Sequence, residues 1–360
     1  MDFDRAGRGG IPGGLVPLTA TVSAQIKNPL YSAGFFVPAD KTMSKFSTQR
    51  ISSHAHSVSP YVLLTLTVLF WSGNWVIGRA VLSDGQIPPV ALAWWRWAVA
   101  VALMMPFALP QIRRHWVSIW QHRSVIVLLA IVGMGFHNLL SYVGLQFTTA
   151  TNGVMLNSAI PVMIILLGVL FFKQRISAKQ MLGVAVSLVG VLAILTKGHL
   201  EALAALKFNQ GDLIVLASMV LWAFYTQMLK WRPEGIPGLA LLAVCGAIGL
   251  IGMTPVYAWE IASGKSIQWS WGVAAALLYV GLFPSFLGYV FWNRAVEEVG
   301  PSVAGLFVHL MPVFGSLLAW LFLGERLYWF HLVGIGFIFV GIYLTTRATN
   351  TILPAAEAVS

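Results

Sequence analysis

Charge is what this sequence has least of. Only 9% of its 360 residues are Asp, Glu, Lys or Arg, against roughly a quarter in an average soluble domain. So few charges cannot cover a water-soluble globule of this size, which excludes a soluble enzyme built around a large core. Cysteine is all but absent. Cys245 stands alone inside an apolar run, so there is no disulfide framework and no Cys/His spacing suited to a metal. No GxxxxGK[ST] motif occurs, which removes ATP hydrolysis on a P-loop as an energy source. The carboxylates number twelve, and none falls at the centre of an apolar stretch. The apolar runs are continuous and do not alternate, which excludes a transmembrane β-barrel.

Long apolar runs fill the chain instead. Hydrophobic residues make up 58%, and the mean hydropathy is +0.79. A helix of about 20 apolar residues crosses a bilayer core. Ten such spans can be read, over 61–81, 89–109, 125–145, 148–171, 177–196, 212–231, 238–259, 271–292, 303–323 and 330–347. The expected fold is therefore an all-α integral membrane protein of ten transmembrane helices. Lys and Arg set its orientation. With the N-terminus inside, ten cations, among them Arg113, Arg114, Lys173 and Arg175, fall in inside segments. Only Lys197, Lys207, Lys265 and Arg326 fall outside. Both termini are thus expected in the cytoplasm, with the chain in the inner membrane. The net charge of +10 then reports topology, and nucleic acid is not an expected partner.

Residues 1–59 differ in character. Gly, Pro, Ser, Thr and Lys dominate them without helical periodicity, so they are expected to form a disordered cytoplasmic tail. Met43 is an alternative start close to the first span. The expected organisation continues with a first repeat over 60–198, a linker over 199–210, a second repeat over 211–347 and a C-terminal tail over 348–360.

The repeat itself emerges from a shift of 151 residues. Trp71 then meets Trp222, Pro161 meets Pro312, Phe171 meets Phe322, Arg175 meets Arg326, Gly183 meets Gly334 and Gly190 meets Gly341. Each copy holds five spans. Five is odd, so the second copy enters the membrane upside down. The charges agree: the loop Lys173–Lys179 carries three cations, and its counterpart Gly324–Phe330 carries one beside Glu325. Inverted repeats give two related packings around a central site, the structural basis of alternating access in secondary transporters.

Several segments together resemble the EamA-type branch of the drug/metabolite transporter superfamily. They are FWSGN at Phe70–Asn74, WWRWAVA at Trp94–Ala100, SAIPVMIILLGVLFFKQR at Ser158–Arg175 and its copy HLMPVFGSLLAWLFLGER at His309–Arg326. The resemblance covers residues 60–347. It implies a ten-helix carrier of small metabolites, often exported amino acids, with spans 1, 3, 4, 6, 8 and 9 around a central cavity. The family often has Glu-Arg after span 4, where this chain has Gln174-Arg175.

Lipid cannot solvate polar side chains, so those in mid-span should face the bundle interior. Trp71, Asn74 and Gly78 share one face of span 1. Trp71 and its mate Trp222 are candidates for stacking on substrate, or else bulky packing. His137, Asn138, Ser141 and Tyr142 form the densest polar cluster, and Tyr289 and Asn293 occupy the equivalent positions of Asn138 and Tyr142. Together with Asn157, Tyr225 and His309 these are the expected substrate-binding residues. The competing reading is a network of helix–helix hydrogen bonds. Arg96 lies within span 2. It reads either as counter-ion to a substrate carboxylate or as a structural partner of backbone carbonyls near a broken helix. Pro161, Pro284 and Pro312 are candidate hinges. The small faces of Gly183, Ser187, Gly190, Gly334 and Gly341 suit close helix packing, within the bundle or in a homodimer.

The expected function is secondary transport, and specifically export, of small metabolites such as amino acids. It is uncoupled or weakly proton-coupled, since only His137 and His309 could relay a proton inside the membrane. No cofactor, metal or enzymatic activity is expected. The alternatives are a channel or a membrane-embedded enzyme acting on lipid, which would need clustered acids or histidines near an interface.

Overall fold

The structure is a computed structural model that describes residues 58–148, 153, 156–199, 209–323 and 328–357. The expectations for residues 1–57, for most of the linker and for Gly324–Leu327 lie outside the described residues. Among those described, every regular element is helical, and nine helices are long and apolar enough to cross a membrane. They are α1 (Pro60–Ser83), α2 (Pro89–Arg114), α3 (Arg123–Phe147), α5 (Ala178–Leu195), α6 (Gln210–Trp231), α7 (Gly238–Ala262), α8 (Trp271–Val299), α9 (Pro301–Leu318) and α10 (Trp329–Arg347). The shorter apolar helix α4 (Ile160–Phe172) lies between α3 and α5. At 1.5 Å per residue, the 24 residues of α1 are ample for a hydrocarbon core of about 30 Å.

Within the span expected over 148–171, Gly153, Leu156 and Asn157 are helical, a turn follows at Ser158 and Ala159, and α4 starts at Ile160. Pro161 sits in its first turn, where a missing N–H breaks no hydrogen bond and a fixed φ suits helix entry. It therefore starts a helix and does not bend one. Pro312 likewise stands second in the segment Met311–Leu323, just after a 3₁₀ turn at Phe307–Leu310.

Residues 151 apart meet each other or make equivalent contacts. Antiparallel α5 and α10 touch backbone to backbone. A Cβ on Gly190 would lie 2.5 Å from the Gly334 carbonyl oxygen, and one on Gly183 would lie 2.7 Å from that of Gly341. The small-residue stripe thus packs within the chain, as close helix approach in lipid requires. Helix α1 runs antiparallel to α8, with Trp71 at Pro284 and Thr67 at Gly288. Its repeat mate α6 runs antiparallel to α3, with Gly211 against Gly144 and Ser218 at His137. Helix α2 lies on α7, and the buried carboxylate of Glu260 accepts the N–H groups of Val90 and Ala91 at 3.2 and 2.7 Å. That satisfies two orphan donors and puts negative charge at the positive end of α2.

Helices α3 and α8 each contain a π-helical segment, Ala130–Phe136 and Gly281–Leu287, at equivalent positions of the repeat. The wider turn frees carbonyls, and side chains take them up. Asn138 Nδ2 donates to the Gly133 and Met134 oxygens, both at 3.0 Å. In α8, Pro284 has no N–H to give, and Ser285 Oγ donates to the Val280 oxygen at 2.6 Å.

Candidate functional site

The two π segments flank a cavity of about 460 Å³, counted to its open mouth. Its lining comes from six helices and the start of α4. Helix α1 gives Trp71, Asn74 and Trp75, α2 gives Arg96, and α3 gives His137, Asn138 and Ser141. Asn157 and Ile160 come from the α4 entry, Met219 and Trp222 from α6, Tyr289 from α8 and Met311 from α9. The mixture of apolar walls with a few convergent polar groups is typical of a ligand site.

Trp71 and Trp222, equivalent in the repeat, meet edge to face with centroids 5.0 Å apart. Trp292 lies behind them, 5.0 Å from Trp71 and 5.5 Å from Trp222. Trp71 Nε1 donates to the Pro284 oxygen at 3.1 Å. The equivalent acceptor for Trp222 would be the Gly133 oxygen, but Asn138 Nδ2 and the Tyr289 hydroxyl, at 3.0 and 2.9 Å, already use it. Trp222 Nε1 is accordingly buried without a partner.

Two hydrogen bonds brace the wall. The Tyr142 hydroxyl donates to Asn74 Oδ1 at 2.7 Å, and the Tyr225 hydroxyl donates to Asn293 Oδ1 at 2.8 Å. Asn138 Nδ2 also meets the hydroxyl of its own repeat mate, Tyr289, at 3.1 Å. His137 Nδ1 lies 2.8 Å from the Ser218 oxygen, and Ser141 Oγ donates to Ser218 Oγ at 3.0 Å. Arg96 is buried in mid-helix. Its Nε donates to Ser285 Oγ at 2.7 Å and its Nη1 to the Tyr142 hydroxyl at 2.9 Å. Its partners are hydroxyls, where the sequence suggested backbone carbonyls.

Of the candidates read from sequence, Trp71, Asn74, His137, Asn138, Asn157, Trp222 and Tyr289 line the cavity together with Arg96. Tyr142, Tyr225 and Asn293 stand one layer behind, holding the lining in place. His309 is fully buried away from it, between Ser187 Oγ at 2.7 Å and the Ser158 oxygen at 3.0 Å. Pro284 lies in the α8 π segment. Sequence reasoning missed Trp75, Met219 and Met311 as lining residues, since apolar side chains in apolar spans carry no distinguishing signal.

Residues 58–196 and again 209–347 match the EamA-like transporter family. This chain belongs to that family. Both ends of the second match are displaced from the first by the same 151 residues that relate the Trp pair. The uncharacterized transporter YyaM of Bacillus subtilis is 27% identical over 292 residues, covering 78% of this chain and 92% of the relative. An uncharacterized transporter of Archaeoglobus fulgidus is 29% identical over 293 residues, covering 79% and 96%. A solved crystal structure superposes with a TM-score of 0.63 at 15% identity, covering 81% of this chain and 98% of the other, and so shares the fold. As an EamA-family member the protein is a multi-pass membrane transporter.

Proposed function

We propose that the protein exports small metabolites, amino acids among them, by alternating access of the central cavity to the two faces of the inner membrane. Ten helices in two inverted five-helix repeats form the machine, with α4 and the stretch before it as the tenth crossing. The observation that carries this reading is the placement of the cavity. It lies where residues related by the repeat, Trp71 with Trp222 and Asn138 with Tyr289, touch each other. A site on the symmetry axis can be exposed to either side by exchanging the conformations of the two halves. The π segments of α3 and α8 and Pro284 are the hinges in this scheme, since they are the non-standard turns beside the lining. Transport runs down the substrate gradient or couples weakly to protons through His137. No carboxylate lines the cavity to relay one, and His309 is shut between Ser187 and Ser158. A metabolite made in the cell then moves outward.

Reporter fusions at Lys173–Lys179 and Gly324–Phe330 test the inversion. The first is expected in the cytoplasm and the second outside, with both termini cytoplasmic. The same compartment for both loops would remove the inverted repeat and alternating access with it. Counterflow of labelled amino acids in proteoliposomes, with and without a pH gradient, tests the transport itself. Saturable exchange is expected, whereas single-channel conductance would favour a pore.

A further inference from the structure

Between the end of α2 and the start of α3 the chain folds a short helix, Trp116–Gln121. Its inner side is pinned. Ile119 is buried, and Nδ1 of His115 and of His122, the residues at its two ends, lie 2.9 and 2.8 Å from the Gln111 and Ser118 oxygens. Its outer side is bare. Trp116, Val117 and Trp120 are each more than half exposed, and the two indoles stack with centroids 6.1 Å apart. Arginines flank this face. Arg113 and Arg114 close the 26 residues of α2, and Arg123 opens α3. The Arg123 guanidinium lies 5.4 Å from the centre of the Trp120 ring, and its Nη1 donates to the Trp120 oxygen at 3.1 Å.

All three arginines are exposed, and among the described residues none is paired with a carboxylate. The sequence holds no Asp or Glu from Gly85 to Leu200, so nothing in this repeat balances them. Sidedness alone accounts for scattered loop cations, but not for a stacked tryptophan pair held among them. The displaced copy separates the two. Trp120 has its mate in Trp271, which is 93% exposed. Arg113 and Arg123 meet Gly264 and Ala274, and only Arg114 meets a cation, Lys265. Aromatic anchoring thus occurs in both copies, and the arginine set in one. Indoles at the ends of two spans sit at the depth of the lipid headgroups, which a lipid reaches and a soluble acidic protein does not.

We propose that the helix Trp116–Gln121 and its flanking arginines bind an anionic phospholipid. The headgroup phosphate meets the guanidinium groups, whose forks suit it, and Trp116, Val117 and Trp120 lie against the glycerol and upper acyl chains. A zwitterionic lipid carries its own cation and leaves the arginines uncompensated. The inference rests on the orientation proposed above only for the choice of leaflet, the cytoplasmic one, where anionic lipid attracts such clusters.

Binding of dioleoyl phosphatidylglycerol and dioleoyl phosphatidylcholine to the full-length protein in neutral detergent tests it, read by native mass spectrometry and thermal unfolding. Phosphatidylglycerol is expected to bind about tenfold tighter or more and to raise the melting temperature, with the preference falling as salt is added. The triple variant Arg113→Gln, Arg114→Gln, Arg123→Gln should remove the preference. The triple variant Lys173→Gln, Arg175→Gln, Lys179→Gln removes the same charge from the other basic loop and should keep most of it. The pair Trp116→Ser, Trp120→Ser should weaken phosphatidylglycerol severalfold with no change of charge. The comparison of the two lipids needs no variant, and the exposed Arg123→Gln alone should weaken phosphatidylglycerol severalfold if the triple arginine variant does not fold. The proposal falls if the two lipids bind alike, if the preference survives loss of the arginines, if the other basic loop matters as much, or if the tryptophan pair can be replaced without effect. It falls also if millimolar inorganic phosphate displaces the lipid, which would mark a phosphate site, or if decaglutamate does so at the lipid's own concentration, which would mark a surface for acidic protein. Detergent has no leaflets, so this result and the reporter-fusion result on orientation can fail separately.

Discussion

The two repeats build the same hydrogen bond with the residue types exchanged. In the first, α1 gives the amide of Asn74 and α3 the phenol of Tyr142; in the second, α6 gives the phenol of Tyr225 and α8 the amide of Asn293. A brace needs one hydroxyl donor and one amide carbonyl, and it does not matter which helix brings which. The π segments, the glycine seam and the Trp pair also occur twice. Against that background three features stand alone. Arg96 faces Ala247 in the repeat, His137 faces Gly288, and only Trp71 has a partner for its indole N–H. What is duplicated builds the frame, and what is single gives the cavity its polarity.

The glycine seam offers the strongest way to break the comparison. Gly190 and its mate Gly341 each face backbone of the opposite helix closely enough that any side chain must push α5 and α10 apart. Gly190→Leu and Gly341→Leu are each expected to destabilise by about 3 kcal/mol or more. Gly336→Leu, on the same α10 but with open space around it, should unfold at the wild-type temperature in detergent. A large difference between Gly190→Leu and Gly341→Leu would show that the two copies of the seam are not equivalent.

The next largest effect separates the two tryptophans. Trp71→Phe and Trp222→Phe remove similar volume from the same wall, so their packing losses largely cancel in the comparison. Only the first leaves an acceptor, the Pro284 oxygen, without its donor. Trp71→Phe should therefore be the less stable by about 1–2 kcal/mol, the cost of an unmade buried hydrogen bond. Equal melting temperatures would mean that the Trp222 indole has a partner in solution.

Much of this was legible before any coordinates, for identifiable reasons. Continuous apolar runs locate the helices, because a lipid-facing helix needs them at every turn. The 151-residue offset exposes the duplication, because glycine, proline and tryptophan at helix contacts resist replacement by other shapes. Polar residues in mid-span pointed to the lining, and Arg96, His137, Asn138 and Trp222 lie there. Other features left no such trace. Hydropathy does not register that Pro161 opens a helix, so the turn at Ser158 and Ala159 inside the fourth span was not read. It is equally blind to a change of backbone register, and neither π segment was read. His309 carries the same polarity as His137. Only packing shows that Ser187 and Ser158 enclose it while His137 meets the cavity.

The finest test lies in the paired phenols. Tyr142→Phe and Tyr225→Phe each delete one hydroxyl that donates to an asparagine, at 2.7 and 2.8 Å. The loss of stability should be nearly equal, about 1 kcal/mol each. Their effects on transport should differ. The Tyr142 hydroxyl also accepts from Arg96 Nη1, so its removal frees a donor beside the cavity and changes how the guanidinium is held. The Tyr225 hydroxyl touches no charge; its ring packs against Trp222 and Tyr289. Amino-acid counterflow should therefore change severalfold in Tyr142→Phe and stay near wild type in Tyr225→Phe. Equal transport defects would tie both braces to the conformational change itself, and the polarity of the site would then no longer depend on one half of the duplication.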